Sequence, residues 1–163
     1  MTKKNKQLLQ LLKQNARYTH QELSGLTGES VEAVKDSIDQ LMSDGIIRQF
    51  TTVINDNDLI DVPIKALVEL SICPEKGAGY DAIANRISGF SNVVSHYLVS
   101  GAYDFLVVVE GVDHKDIAHF VFDKLATLEN VKSTTTHFIF KAYKEQGVIL
   151  EELSEVQRVP ILP

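Results

Sequence analysis

The residues of this 163-residue chain best placed to do chemistry are binding groups, and no nucleophile stands among them. They are Ser100-Gly101-Ala102-Tyr103-Asp104, a turn between two strand-like stretches, and Ser133-Thr134-Thr135-Thr136 on a later strand-like stretch. Backbone N–H groups at a glycine turn and threonine hydroxyls supply donors, and Asp104 supplies an acceptor. That set matches an α-amino acid, whose carboxylate takes donors and whose ammonium group takes an acceptor. The same residues also suit plain structure, because glycine serves a turn and threonine favours a strand. The residues alone leave both readings open.

Other chemistries lack a required residue. Asp56-Asn57-Asp58 starts like a calcium loop, but Ile60 and Asp61 stand where an oxygen ligand and a glycine are needed, so a polar linker is expected. The histidines His20, His96, His114, His119 and His137 form no His-Glu-x-x-His pair, and no metal site is expected. There is no Gly-x-Ser-x-Gly elbow, phosphate-binding glycine loop or glycine-framed carboxylate pair. The expectation is therefore no catalytic residue, no cofactor and no enzyme. The single cysteine, Cys73, excludes an internal disulfide and a Cys-x-x-Cys pair. No apolar run approaches the roughly 18 residues of a membrane span, and Met1 to Lys6 is polar and basic with no apolar segment behind it. A cytoplasmic protein with no membrane partner is expected.

Charge is distributed unevenly. The net charge of −6 argues against a uniformly basic surface that coats nucleic acid. Yet Lys3, Lys4, Lys6, Lys13 and Arg17 stand between Met1 and His20 with no acid among them. This is a local basic arm, or else the solvated face of a first helix.

The elements that must position these groups fall into two sets. Leu8, Leu9, Leu11 and Leu12 mark a first helix from Lys4 to about Asn15. Thr19 caps a second, with Leu23 and Leu26, that stops at Gly28. Ser30 caps a third, with a stripe of Val31, Val34, Ile38, Leu41 and Met42, that stops at Gly45. Ile46 to Ile54 is β-branched and aromatic, which predicts a short hairpin. Asn55 to Pro63 reads as a linker. Then Ile64, Ala66, Val68, Leu70 and Ile72 alternate with Lys65, Glu69 and Ser71, a half-buried strand ended by Pro74. A helix carrying Tyr80, Ile83, Ala84 and Ile87 follows. Strands Val93 to Val99 and Phe105 to Glu110 come next, then a helix capped by Asp113 with Ile117, Val121, Phe122 and Leu125 inward, then a strand from Val131 to Phe140.

The expected class is α+β. A winged helix-turn-helix occupies residues 1–54, a linker 55–63, a ferredoxin-like β-α-β-β-α-β domain 64–145 and a tail 146–163 that adds an edge strand before fraying. Both helices cover one sheet face. The other, expected to carry Val68, Leu70 and Phe138, should pack on a second copy to give a homodimer.

The first set matches a DNA-binding head whose later helix enters the major groove, or a three-helix unit used for protein contact. Its third helix is acidic: Glu29, Glu32, Asp36 and Asp39 against Lys35. Phosphates would repel it, and Lys3, Lys4, Lys6 and Arg48, with the positive helix end at Ser30, would offset that. Candidate contacts to double-stranded DNA are Lys3, Lys4, Lys6, His20, Gln21, Ser30, Lys35 and Arg48. Weak binding by one head, multiplied by several heads in an assembly, is expected.

The two-domain order, the Ser100 to Asp104 turn and the threonine-rich last strand together resemble the Lrp/AsnC, or feast/famine, regulators, over nearly the whole chain to about Tyr143. The resemblance implies a DNA-binding winged helix-turn-helix at promoters and a ferredoxin-like module that dimerises and commonly assembles into octamers. It implies an amino-acid effector bound between dimers. The family's hairpin motif falls on Gly101, Tyr103 and Asp104, and its hydroxyl positions near Thr134 and Thr136, so these are the implied effector contacts. Leu41, Gly45, Ile46 and Ile47 match the family's helix end and wing entry. The chain departs from the family in Ser30-Val31-Glu32-Ala33-Val34-Lys35-Asp36, where arginine is usual. The expected function is a sequence-specific transcriptional regulator whose assembly answers to an amino acid; the alternative is an amino-acid-binding assembly module whose acidic head contacts protein.

Overall fold

Leu8 and Leu12, one helical turn apart, are the side chains that α1 (Lys3–Gln14) buries, and the helix starts where the Thr2 hydroxyl accepts the Asn5 N–H at 3.1 Å. In this computed structural model, which describes residues 1–74 and 79–151, the chain divides into two compact units, Met1–Ile54 and Asn55–Pro163. In the first unit α2 (His20–Thr27) opens with a reciprocal capping box. The Glu22 N–H donates to the Thr19 hydroxyl (3.2 Å) and the Thr19 N–H to the Glu22 carboxylate (2.7 Å). Gly28, at φ 72°, ends the helix in the left-handed region that glycine tolerates. The Ser24 hydroxyl then donates to the Glu29 carbonyl (2.5 Å), tying the turn to α3 (Val31–Ser43), which Ser30 caps by accepting the Ala33 N–H (3.2 Å).

The core of this unit is Leu8, Leu12, Leu23, Val34, Ile38 and Leu41. Leu26, Val31 and Met42, which helical spacing groups with them, are exposed. A hairpin over Ile46 to Ile54 is not formed. The Ile46 and Ile47 N–H groups both donate to the Leu41 carbonyl (2.9 and 3.0 Å), and the chain runs on without strand pairing. The reason is local: the stretch holds no Gly, Asn, Asp or Pro for a tight turn, and an isolated two-stranded ribbon is marginal in water.

The second unit opens with a single turn of 3-10 helix, Asp56–Asp58, held by Lys65 Nζ to Asp56 (3.4 Å) and by the Asn57 side-chain amide donating to the Ala142 carbonyl (3.0 Å). There follow β1 (Ile64–Ile72), α4 (Asp81–Ser88), β2 (Val93–Leu98), β3 (Phe105–Gly111), α5 (His114–Phe120), a π-helical turn Val121–Leu125 and β4 (Val131–Ile139). The strands form an antiparallel sheet in the order β2-β3-β1-β4, the ferredoxin-like arrangement. β5 (Lys144–Glu145) and β6 (Val148–Ile149) pair with each other as a small ribbon, and among the described residues the tail joins no edge of the main sheet. The rest of the tail, with Pro160 and Pro163, lies outside the described residues.

Register decides which face is covered. Ala66, Val68, Leu70 and Ile72 of β1 and Phe105, Val107 and Val109 of β3 are buried against Ile83 and Ile87 of α4 and Ile117 and Phe120 of α5. Val68 and Leu70 therefore belong to the helix-covered core, and Phe138, paired with Ala66, packs against that core too. The opposite face carries the alternate residues, Leu67, Leu106, Val108 and Tyr97. Among the described residues no helix covers that face, as expected, but the side chains on it are the other set. Phe122 is likewise corrected: it is 76% exposed, and Phe120 and Leu128 are buried in its place. The Ala126 N–H reaches back five residues to the Val121 carbonyl (2.8 Å), and this wider turn leaves Phe122 outside.

Candidate functional site

The turn between β2 and β3 is closed by the Val99 N–H donating to the Asp104 carbonyl (2.8 Å), and it is lashed to β1 by the Asp104 N–H donating to the Leu70 carbonyl (3.0 Å). Gly101 and Ala102 at its tip are exposed, while Tyr103 and Asp104 are half-buried. The Asp104 carboxylate is braced on both oxygens. Its Oδ2 accepts the Ile72 N–H at 2.7 Å, and its Oδ1 accepts the Tyr80 hydroxyl at 2.9 Å. This acid joins three segments: the end of β1, the residue before α4, and the turn itself. The hydrogen bond to Asp104 raises the Tyr80 pKa, because losing the proton would set a phenolate against a carboxylate.

Tyr80 is a site residue that spacing does not reveal, since it lies 24 positions before the acid it holds. Its ring meets the edge of Phe105 (centroids 5.6 Å apart), and His96 meets Phe105 from another side (4.5 Å). His96 also shares a hydrogen bond with the Ser88 hydroxyl (3.0 Å), and burial lowers its pKa by disfavouring the charged ring.

Thr134 and Thr136 stand in register with Leu70 and Val68, which puts them on the helix-covered side of the edge strand β4, half-buried. Ser133 and Thr135 pair with Ser71 and Glu69 and face the other way. Because β1 lies between β3 and β4, two strand spacings of about 4.8 Å separate the threonines from the β3 end of the turn. The single chain does not bring the two groups together. Two open surface concavities, of about 360 Å³ beside Ala118, His119, Phe122 and Asp123 and of about 210 Å³ beside Pro63, Asn92, Glu110 and Val112, include neither group.

In the first unit, Lys3 and Lys6 are exposed on α1, His20 and Gln21 on the first turn of α2, Lys35 on α3, and Arg48 just beyond it. Lys4 is committed elsewhere, its ammonium ion-paired with Glu29. The Ser30 hydroxyl is occupied in capping α3. The Arg48 guanidinium lies over Gly45, where an added Cβ would come within 3.2 Å of it, so glycine at φ 68° both turns the chain and makes room for the arginine. The outward face of α3 presents Glu32, Asp36 and Asp39 beside Lys35.

The chain matches the Lrp/AsnC ligand binding domain over residues 65–149 and a winged helix-turn-helix DNA-binding domain over residues 1–48. It is 37% identical over 165 residues to the HTH-type transcriptional regulator YugG of Bacillus subtilis (strain 168), covering 100% of this chain and 99% of that protein. Among solved structures, a transcriptional regulator of Neisseria meningitidis in complex with L-Met is 26% identical with a TM-score of 0.69, covering 89% of this chain and 93% of that one. The leucine response regulatory protein of Mycobacterium tuberculosis shares the fold, with 21% identity and a TM-score of 0.73, over 93% of this chain and 100% of that one.

Proposed function

The chain belongs to the Lrp/AsnC family of transcriptional regulators, and from that premise we propose that it binds promoter DNA through its first unit and an amino acid through its second, the amino acid shifting its assembly. The observation that carries the reading is the glycine–aspartate turn, lashed to β1 and braced through Asp104, in a chain that also holds a capped three-helix head. The Neisseria relative, solved with L-Met, supports an amino acid as the effector.

In this reading the Gly101 N–H and the Thr134 and Thr136 hydroxyls take the effector carboxylate, Asp104 takes its ammonium group and Tyr103 closes the site. Since the threonines and the turn do not converge within one chain, neighbouring copies complete the site. Leu67, Leu106, Val108 and Tyr97 on the uncovered sheet face give the homodimer its apolar surface, and dimers assemble further, to an octamer. Lys3, Lys6, Lys35 and Arg48 contact phosphates, Lys4 joins them when it leaves Glu29, the helix end at Ser30 accepts one, and His20 and Gln21 lie against the groove. An effector that binds one assembly better than another changes how many heads engage DNA at once. The protein acts in the cytoplasm; among the described residues no helix is long and apolar enough to cross a membrane.

The test is electrophoretic mobility shift on the DNA upstream of the protein's own gene, across salt concentrations, with and without each amino acid. A sequence-selective, salt-sensitive shift altered by one amino acid is expected. No shift at low salt, from folded protein that binds an amino acid, would favour a head that contacts protein.

A further inference from the structure

Among the described residues Asp104 has four hydrogen-bond partners, and Tyr80 is the one that supplies a side chain. The carboxylate takes the Ile72 N–H (2.7 Å) and the Tyr80 hydroxyl (2.9 Å), while its backbone bonds Leu70 and Val99 (3.0 and 2.8 Å). One backbone donor, the Ile72 N–H at the end of β1, holds Asp104 Oδ2 and moves with the sheet. Oδ1 is held only while α4 stays in place, because Tyr80 stands directly before that helix and its ring rests on Phe105. With Tyr80 present, rotation of the carboxylate about Cβ–Cγ is blocked at both oxygens, and each oxygen keeps a second lone pair for another donor.

We propose that Tyr80 is a positioning residue for the effector site: its hydroxyl fixes the Asp104 carboxylate in the orientation that receives the effector's ammonium group, and it links occupancy of the turn to α4. This rests on the effector reading given above. Tyr80 touches no effector in this scheme and acts through Asp104. The chemistry it serves is discrimination for an α-ammonium over an α-hydroxyl, since both can donate to a fixed carboxylate but only the ammonium adds the attraction of its charge.

The Tyr80→Phe variant keeps the ring, its edge contact with Phe105 and its volume, and removes one oxygen. Calorimetric titration with the twenty amino acids identifies the ligand of the wild-type protein. Wild type, Tyr80→Phe and Asp104→Asn are then compared for that amino acid and for its 2-hydroxy-acid analogue, the analogue by competition, with thermal melting to establish equal folding. Tyr80→Phe is expected to weaken the amino acid about tenfold, the scale of one hydrogen bond to a charged group, and the analogue by less. The amino-acid to hydroxy-acid ratio then falls. Asp104→Asn, which keeps an oxygen for the Ile72 N–H, should lower the same ratio at least as far.

An unchanged ratio in Tyr80→Phe, with the wild type binding an amino acid, overturns the positioning role and leaves the effector reading intact. Equal weakening of both ligands also overturns it, since that is what general loosening of the turn would do. Failure of the wild type to bind any amino acid sinks the effector reading, and the role of Tyr80 goes with it.

Discussion

The two units of this chain are stabilised on different scales and expose their chemistry in different ways. The first unit buries six apolar side chains and relies on its caps, among them the Thr19–Glu22 box and Ser30. Its candidate contacts sit on the surface, most of them on helices, with Arg48 just beyond α3 and Lys4 in an ion pair with Glu29. Among its described residues the second unit buries fourteen, from Ala66 to Leu128, and its key acid is held by backbone and side chain together. The head is therefore the part to lose first under stress, and its binding can be tuned by single surface charges, whereas the turn answers to changes in the packing beneath it.

The largest effect should come from a cut into the larger core. Phe105→Ala removes a ring that is 1% exposed and that Tyr80 and His96 both meet. A loss of about 4 kcal/mol is expected for such a cavity, read as a large drop in the melting of the second unit with loss of amino-acid binding. Leu23→Ala is the matching cut in the head, where Leu23 is fully buried. About 3 kcal/mol is expected, which should melt the smaller unit first. DNA binding should vanish while calorimetric amino-acid binding survives. Loss of both activities from Leu23→Ala would show that the units do not fold independently.

These cuts also show what the sequence could and could not disclose. Thr19, Gly28 and Ser30 announce helix ends through local chemistry, and all three act as caps. The alternation from Ile64 to Ile72 announces two faces, and the strand has them, but Val68 and Leu67 are equally apolar. Which face the helices take is decided by Ile83, Ile87 and Ile117 packing from far along the chain. Phe122 and Phe120 differ by two positions, and a π turn chooses between them. The Tyr80–Asp104 bond had no signal at all: an aromatic residue before a helix and an acid after a turn are each ordinary until the fold brings them within 2.9 Å.

His96 gives a pH test of the same contrast. Burial lowers its folded pKa below the ordinary value, so the unfolded chain binds the proton more readily. Its contribution is therefore fully present above the ordinary histidine value of about 6.5 and is lost as pH falls through that value toward the lower folded one. Melting of the second unit should decline on acidification from about pH 7.5 to 5.5, and His96→Gln should remove that part of the decline. An identical pH profile in His96→Gln would exclude the ring as its source.

The smallest change should act on the head without disturbing its fold. Glu29→Gln releases Lys4 from its ion pair and removes one acid from the approach to α3. Because an exposed pair contributes only about 0–1 kcal/mol, the melting point should barely move. DNA affinity should nonetheless rise, since a released lysine can neutralise a phosphate, and each such contact steepens the dependence of log K on log salt by about one unit. Measured by mobility shift at several salt concentrations, a steeper slope with unchanged melting would assign Lys4 to the phosphate-contacting set. A parallel gain at every salt concentration would mean that the effect lies in how the helix is oriented, and would leave Lys4 as a partner of Glu29 alone.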